Sequence, residues 1–245
     1  MDGVALCARF SIATNRLQFC GPADAEPNLY AAITRGAELD RARAALTRFE
    51  ALYPYLEAIG TKHGLDPFDE RVVEAYWIGN QLLDAFGRND FERILGALVR
   101  RGLPRSTAAR LGAHLPAKPI PHHAFHVTFV GVGEVTGHVE TTLANMEACR
   151  PTPARVVHVA AGELGLHFRP LVVVHGRVAR EGVERSRLPF DAKILPKVEA
   201  GDVVALHWRH PALLLTEEQS RALERYTDRS FEAANEALPG LRALS

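Results

Sequence analysis

Charge of one sign is not in excess in this chain: 29 Lys and Arg balance 29 Asp and Glu, so the formal net charge is zero. No field that steers nucleic acid or anionic lipid is expected, and no nucleic-acid partner with it. Long apolar runs are missing too. None approaches the roughly 20 residues that span a bilayer, so no membrane partner is expected. Cysteine is scarce. Cys7, Cys20 and Cys149 are too few and too scattered for a disulfide framework, which points to a reducing compartment. The opening MDGVALCARF has no basic stretch leading into a long apolar core, so the reading is a cytoplasmic protein without a secretory leader. There is no Cys-x-x-Cys pair, which excludes the usual local zinc site. Neither Gly-x-x-x-x-Gly-Lys-Ser/Thr nor Gly-x-Gly-x-x-Gly occurs, which removes the ordinary nucleotide loops. Aromatics make up only 7% of the 245 residues, yet 47% are apolar and 24% charged, the balance of an ordinary globular protein of one large or two small domains.

The two halves differ in period. Residues 23–112 read as helices. Over 39–59, Leu46, Phe49, Leu52, Tyr53, Leu56 and Ile59 recur at helical spacing, and Gly60 and Gly64 flank the end. From Glu70, Val72, Val73, Tyr76, Trp77 and Leu83 line a helix face running to about Phe86. Another helix is expected over 90–101, and Pro104-Arg105-Ser106 opens a short last one. Three prolines in 116–121 then form a connector that cannot continue a helix. Beyond it the pattern alternates. Runs at 126–130, 155–159, 166–168, 171–174 and 202–208 read as strands, and short strands at this spacing suggest a small barrel. Thr216 is the expected N-cap of a closing helix with acids in its first turn. The expected fold is therefore α+β. An antiparallel helical domain (1–115) leads through a Pro-rich connector and His-rich strand (116–145) to a small OB-like β-barrel with a C-terminal helix (146–245).

Histidine is unevenly spread. Of eleven, only His63 precedes residue 114. His122, His123 and His126 cluster after Pro121, and imidazole both ligates metals and titrates near neutrality. On a strand, His122 and His126 share a face but stand about 13 Å apart, too far to chelate one ion together. A metal there needs a turn at Pro121, or help from Cys149, His138 or His207. The plain alternative is strand packing with satisfied ring nitrogens. Glu74, Tyr76, Trp77 and Asn80 form a further cluster, because Glu74, Trp77 and Asn80 lie within two turns of one expected helix. They suit orientation of a ligand or docking of another domain, or else a buried indole with satisfied polar neighbours. Cys20, in the turn Cys20-Gly21-Pro22, is read as packed or as approaching a shared site.

The stretch Cys149-Arg-Pro-Thr-Pro153-Ala-Arg155-Val156, followed far downstream by Gly201-Asp202 and then His207, resembles the HypC/HupF-type [NiFe]-hydrogenase maturation chaperones. That family has a cysteine with proline four residues on, a basic residue six on and a branched aliphatic seven on. A later Gly-Asp carries a histidine five residues beyond the aspartate. The resemblance implies an OB-like barrel whose cysteine thiolate holds an iron with cyanide and carbon monoxide ligands. It also implies a maturation scaffold or hydrogenase large subunit as partner. Carried over, Cys149 is the thiolate ligand and His207 its polar neighbour, with Pro153, Arg155 and Asp202 on the partner-binding side. Trp77, Glu74 and Asn80 are added from the helical half. The chain departs from the pattern: Cys149 lies deep inside it, Ala154 follows the motif proline, and Trp208-Arg209-His210-Pro211 follows the motif histidine. The remainder resembles an uncharacterised bacterial family through Arg9-Phe10, Asn15, Leu17, Cys20-Gly21-Pro22 and the run 66–80, and that likeness supplies no activity.

The leading expectation is thus an accessory protein for [NiFe]-hydrogenase assembly, a chaperone or binding protein without turnover. Two alternatives stand beside it. One is a metal- or Cys/His-dependent enzyme built around Cys149 with His122, His123, His126 and His207. The other is a metal-free interaction module.

Overall fold

The structure, a computed structural model, describes residues 1–242. It is α+β, as expected. Helix α1 (Gly3–Arg16) is capped by Asp2, whose side chain accepts from Val4 N and Ala5 N, and it is buried over most of its length. Sequence reading had not assigned it, because a helix that is apolar nearly all round shows no amphipathic stripe. Around it stand α2 (Glu26–Arg35), α3 (Leu39–Leu46), α4 (Tyr53–His63), α5 (Glu70–Trp77), α6 (Arg88–Val99) and α7 (Arg105–Ala113).

Two expected helices are interrupted. The one read over 39–59 breaks between α3 and α4. Pro54 takes one of the first positions of α4, where a missing N–H does no harm, whereas mid-helix it would remove a hydrogen bond and clash. The one read from Glu70 to Phe86 stops at Trp77, because Gly79 turns to φ +99° where the chain presses on the Tyr226 ring. Asn80 then caps a separate 3-10 turn over Gln81–Ala85 by accepting from Leu82 N.

The expected strand at 126–130 is helical. His123–Phe125 forms one turn (α8), which runs on into a π-helical turn over His126–Gly131. Every residue from Pro119 neighbour Ile120 to Val132 is buried. No strand lies beside this segment to pair with it, and a helix satisfies buried backbone groups internally. Burial on all sides therefore outweighs the β-propensity of Val127, Thr128 and Val130. Helix α9 (Leu143–Cys149), capped by Thr142, follows and ends on Cys149.

The remaining chain forms β1 (Thr152–Ala160), β2 (Glu163–Phe168), β3 (Leu171–Val174), β4 (Arg177–Arg180), β5 (Glu184–Pro189), β6 (Val203–His207) and β7 (His210–Leu215). The main sheet is antiparallel with order β5-β2-β1-β6-β7, and β3-β4 is a separate hairpin. The expected closed barrel is not formed, because β5 and β7 share no hydrogen-bonded ladder. A covering layer replaces closure. The Arg9 guanidinium of α1 donates to the backbone carbonyls of Ala212 in β7 and Ile194. The closing helix α10 (Glu217–Arg242) holds the β3-β4 hairpin: Asn235 exchanges two hydrogen bonds with the Val178 backbone, and Arg180 meets the Asp228 carboxylate. Its start is a reciprocal cap, with Gln219 N donating to Thr216 Oγ1 and Thr216 N to Gln219 Oε1. One apolar core runs from Phe10 and Tyr76 in the helices through Leu206 in the sheet to Tyr226 in α10.

Candidate metal centre

Three parts of the chain converge under this core. His123 comes from α8, Cys149 from the end of α9 and His207 from the end of β6, and their ligating atoms all lie within 4.8 Å of one another. Cys149 Sγ is 3.5 Å from His123 Nε2 and 3.8 Å from His207 Nε2. A tetrahedral ion with a sulfur at about 2.3 Å and nitrogens at about 2.0–2.1 Å sets the sulfur about 3.6 Å from each nitrogen. The two sulfur–nitrogen spacings match that geometry, so the cluster could hold a metal.

Each imidazole is aimed by its other nitrogen. His207 Nδ1 is 2.6 Å from the Phe10 carbonyl, which can only accept, so Nδ1 carries the proton and the Nε2 lone pair faces Cys149. His123 Nδ1 is 2.8 Å from the Tyr76 hydroxyl, which also reaches the Ala51 carbonyl at 3.3 Å. Two tautomers satisfy this site. With the proton on Nε2, His123 donates to the Cys149 carbonyl at 3.1 Å and Tyr76 donates to Nδ1. With the proton on Nδ1, His123 donates to Tyr76, Tyr76 donates to Ala51, and Nε2 is free to ligate. The Trp77 ring is wedged beneath both imidazoles, 4.4 Å from His123 and 5.0 Å from His207 between centroids, and is stacked on Phe10.

The β6-β7 turn brings up the last wall. Trp208 and Arg209 both sit in the left-handed region, φ +52° and +56°, where hairpins ordinarily place Asn or Gly. Such strain costs of order 1 kcal/mol or more per residue and gathers at functional sites. Here it lays Trp208 beside Cys149 and Phe19.

Burial sets the charge states. His207 is pushed down to about 4 by burial, which the Phe10 carbonyl opposes, and His123 falls well below its ordinary value by burial and then by its neighbouring histidines. Both imidazoles are therefore neutral near pH 7 and ready to ligate. Burial pushes the Cys149 thiol up, with Cys20 adding to the rise and the Trp208 indole opposing it, so sulfur keeps its proton until a cation replaces it.

The triad forms the floor of a cavity of about 60 Å³. Its walls include Phe19, Phe49, Leu52, Val135, Val139 and Trp208, and among the described residues no Lys, Arg, Asp or Glu lines it. Cys20 closes one side, its thiol donating to Glu50 Oε2 at 3.4 Å, while Gly21 N holds the same carboxylate oxygen at 3.0 Å. Over the top runs the 132–139 segment, pinned where Thr136 Oγ1 donates to the Phe19 carbonyl.

Other residues singled out in the sequence are not part of the triad, although His126 lines the same cavity. His122 does not join the triad: its Nδ1 accepts from Ala124 N and meets Ser230 Oγ, each at 3.3 Å. His126 turns to the Tyr55 hydroxyl, 2.9 Å from its Nδ1. A helical turn at 123–126, in place of a strand, sends His122 to Ser230 and leaves the His123 and His126 rings stacked, 5.9 Å apart between centroids. Glu74 and Asn80 sit in a polar groove at the start of α10, where Glu74 accepts from Gln219 and Asn80. Arg155 donates to the Gly201 carbonyl, while Asp202 accepts from Glu199 N and, through its own carbonyl, from Val156 N. With Pro153 they lie where β1 meets the turn before β6, so the Gly-Asp motif ties β1 to β6. Cys149 itself is only 8% exposed, not at an open rim. Sequence reasoning missed Phe10 and Glu50. The first acts through a backbone carbonyl, which no residue pattern reports.

The fold and site define an α+β protein with a buried two-histidine, one-cysteine cluster. The chain belongs to DUF6390, a family of unknown function whose profile matches residues 1–240. That match covers both the stretch that resembles an uncharacterised family and the stretch that resembles HypC/HupF chaperones, and it brings no hydrogenase family with it. No curated protein and no solved structure is detectably similar. Among the described residues, no helix is long and apolar enough to cross a membrane.

Proposed function

We propose that the chain is a metal-dependent protein in which His123, Cys149 and His207 hold one thiophilic transition-metal ion, with a fourth position open to the adjoining cavity. Three protein ligands and one open position are the arrangement of catalytic zinc, and zinc is the ion that this donor set and spacing suit first. The observation that carries the reading is the pair of sulfur–nitrogen distances, 3.5 and 3.8 Å, on imidazoles already aimed by Phe10 and Tyr76. Bound there, the ion would act as a Lewis acid on a small molecule or would acidify a bound water. The chain's own residues do the rest. Phe10 fixes the tautomer of His207, Tyr76 orients His123, Trp77 packs against both rings, and Trp208 with the 132–139 segment walls the cavity. The test is metal analysis of protein purified without a histidine tag. One equivalent of metal in wild type, lost in Cys149→Ala and His207→Ala, supports the reading, and equal metal content in all three overturns it.

The hydrogenase-maturation reading is the second. The Cys149–His207 pair that the resemblance called for does meet, at 3.8 Å, which favours it. The depth of Cys149 weighs against it, since an iron group passed to a scaffold or large subunit must leave past Trp208. Infrared spectroscopy of protein co-purified with hydrogenase maturation partners separates the two readings, because only the iron carrier shows cyanide and carbonyl bands.

A further inference from the structure

The cavity above the triad restricts what can reach an ion held there, and the restriction comes from size, polarity and charge together. Its volume of about 60 Å³ holds a few waters. It is less than half of the roughly 150 Å³ apolar cavity that accepts benzene. Among the described residues, its lining has no Lys or Arg to pair with a carboxylate or phosphate and no carboxylate to pair with an ammonium. An unpaired charge moved into such a space loses its hydration with nothing to replace it. Apart from the triad, the polar side chains lining it include Ser11, Thr14, Tyr76, His126 and Thr136, and of these Thr136 donates to the Phe19 carbonyl, Tyr76 holds His123 and His126 holds the Tyr55 hydroxyl. The charge of the centre adds a further condition. A divalent ion with one thiolate and two neutral imidazoles keeps one positive charge, and one anionic donor atom cancels it.

We infer that the cavity is a binding site for short-chain molecules that present one soft anionic donor atom on an otherwise uncharged, apolar body, of which short alkyl thiols are the simplest. This inference rests on the metal reading above. A thiol enters the cavity, its S–H proton leaves to solvent, and the thiolate sulfur donates a lone pair to the open position; nothing is oxidised or reduced. The alkyl chain lies against Phe49, Leu52, Val135 and Val139. Sulfur is the favoured donor because the ion that suits Cys149 is itself thiophilic. Specificity then comes from exclusion: long chains meet the far wall, and a second charge meets no partner.

The test uses full-length protein loaded with Co(II), whose visible spectrum reports both the Cys149 thiolate and any ligand added at the fourth position. The probes are straight-chain thiols from methanethiol to hexanethiol, with cysteamine as the charged isostere of 1-propanethiol and mercaptoacetate as an anionic one. Affinity is expected to rise roughly threefold to fourfold per CH₂ over the first members and then to fall once the cavity is full. Cysteamine and mercaptoacetate are expected to bind at least about a hundredfold more weakly than 1-propanethiol. Val139→Phe is expected to keep the cobalt spectrum and lose the response to thiols, while Val139→Ala moves the length limit to longer chains. Cobalt bound with no response to any thiol, or with equal affinity for 1-propanethiol and cysteamine, overturns this inference and leaves the metal reading standing. A protein that binds no cobalt overturns both.

Discussion

Cys149 Sγ and His207 Nε2 stand 3.8 Å apart across 58 residues of chain, with the Phe10 carbonyl on the far side of the same imidazole. The contact joins the end of α9 to the end of β6 and ties both to α1. The site thus takes its parts from the helices, the segment after Pro121 and the sheet.

The Tyr76 hydroxyl orients His123 through Nδ1 and can accept a hydrogen bond from it, which frees Nε2 to ligate, so its removal should weaken metal binding without unfolding the chain. Tyr76→Phe is expected to lower zinc affinity about tenfold to a hundredfold, the range for an outer partner of a ligating histidine. Tyr55→Phe is the control. It removes an equivalent hydroxyl from His126, which is not in the triad, and its zinc affinity should equal that of wild type. Competition against a chromophoric chelator measures both. Equal losses in the two variants would show a general packing effect.

The metal-free protein should be acid-sensitive. Burial lowers His122 to about 3, and His126, His207 and His210 to about 4, whereas an unfolded histidine titrates near 6.5. Between those values the unfolded chain binds more protons than the folded one. Stability is therefore fully present above pH 6.5 and is lost as pH falls toward 4, by up to about 1.4 kcal/mol per pH unit for each histidine. Urea midpoints of chelator-treated protein should fall steadily from pH 7.5 to 5. A flat profile would mean that these rings are solvated.

Gly133 holds the segment above the cavity. It sits at φ +78°, and a Cβ there would lie 1.8 Å from the Val139 carbonyl oxygen. Gly133→Ala should cost about 1–3 kcal/mol, seen as a Tm lower by several degrees, and should speed loss of metal to a chelator. An unchanged Tm would show that the segment does not pack as described.

Much of the scaffold is legible in the sequence because periodicity is a local signal. The stripe from Val72 to Trp77 and the Thr216 cap report themselves within a few residues, and β1, β2, β3 and β6 do so through β-branched or apolar runs bounded by Gly and Pro, whereas the Arg-rich β4 and β5 and the Pro-containing β7 do not. The site was legible in pieces. Cys149 and His207 are paired by the resemblance to the HypC/HupF chaperones, and strand geometry leaves a metal at the histidine cluster two routes, a turn at Pro121 or help from Cys149, His138 or His207. His123, rather than His122 or His126, could not be chosen, because the choice depends on a buried helical turn that overrides the β-propensity of Val127 and Val130. The closed barrel failed for a related reason: α1, which leaves no amphipathic trace, packs against the edge strand β7, where closure would have to occur. The Phe10 carbonyl is invisible to any reading of side chains.

X-ray absorption at the metal edge of zinc-loaded full-length protein tests the central claim most directly. The account predicts one sulfur at about 2.3 Å and two imidazole nitrogens at about 2.0–2.1 Å, with the sulfur lost in Cys149→Ser. A shell of nitrogen and oxygen alone in wild type, or one unchanged by that substitution, would contradict it.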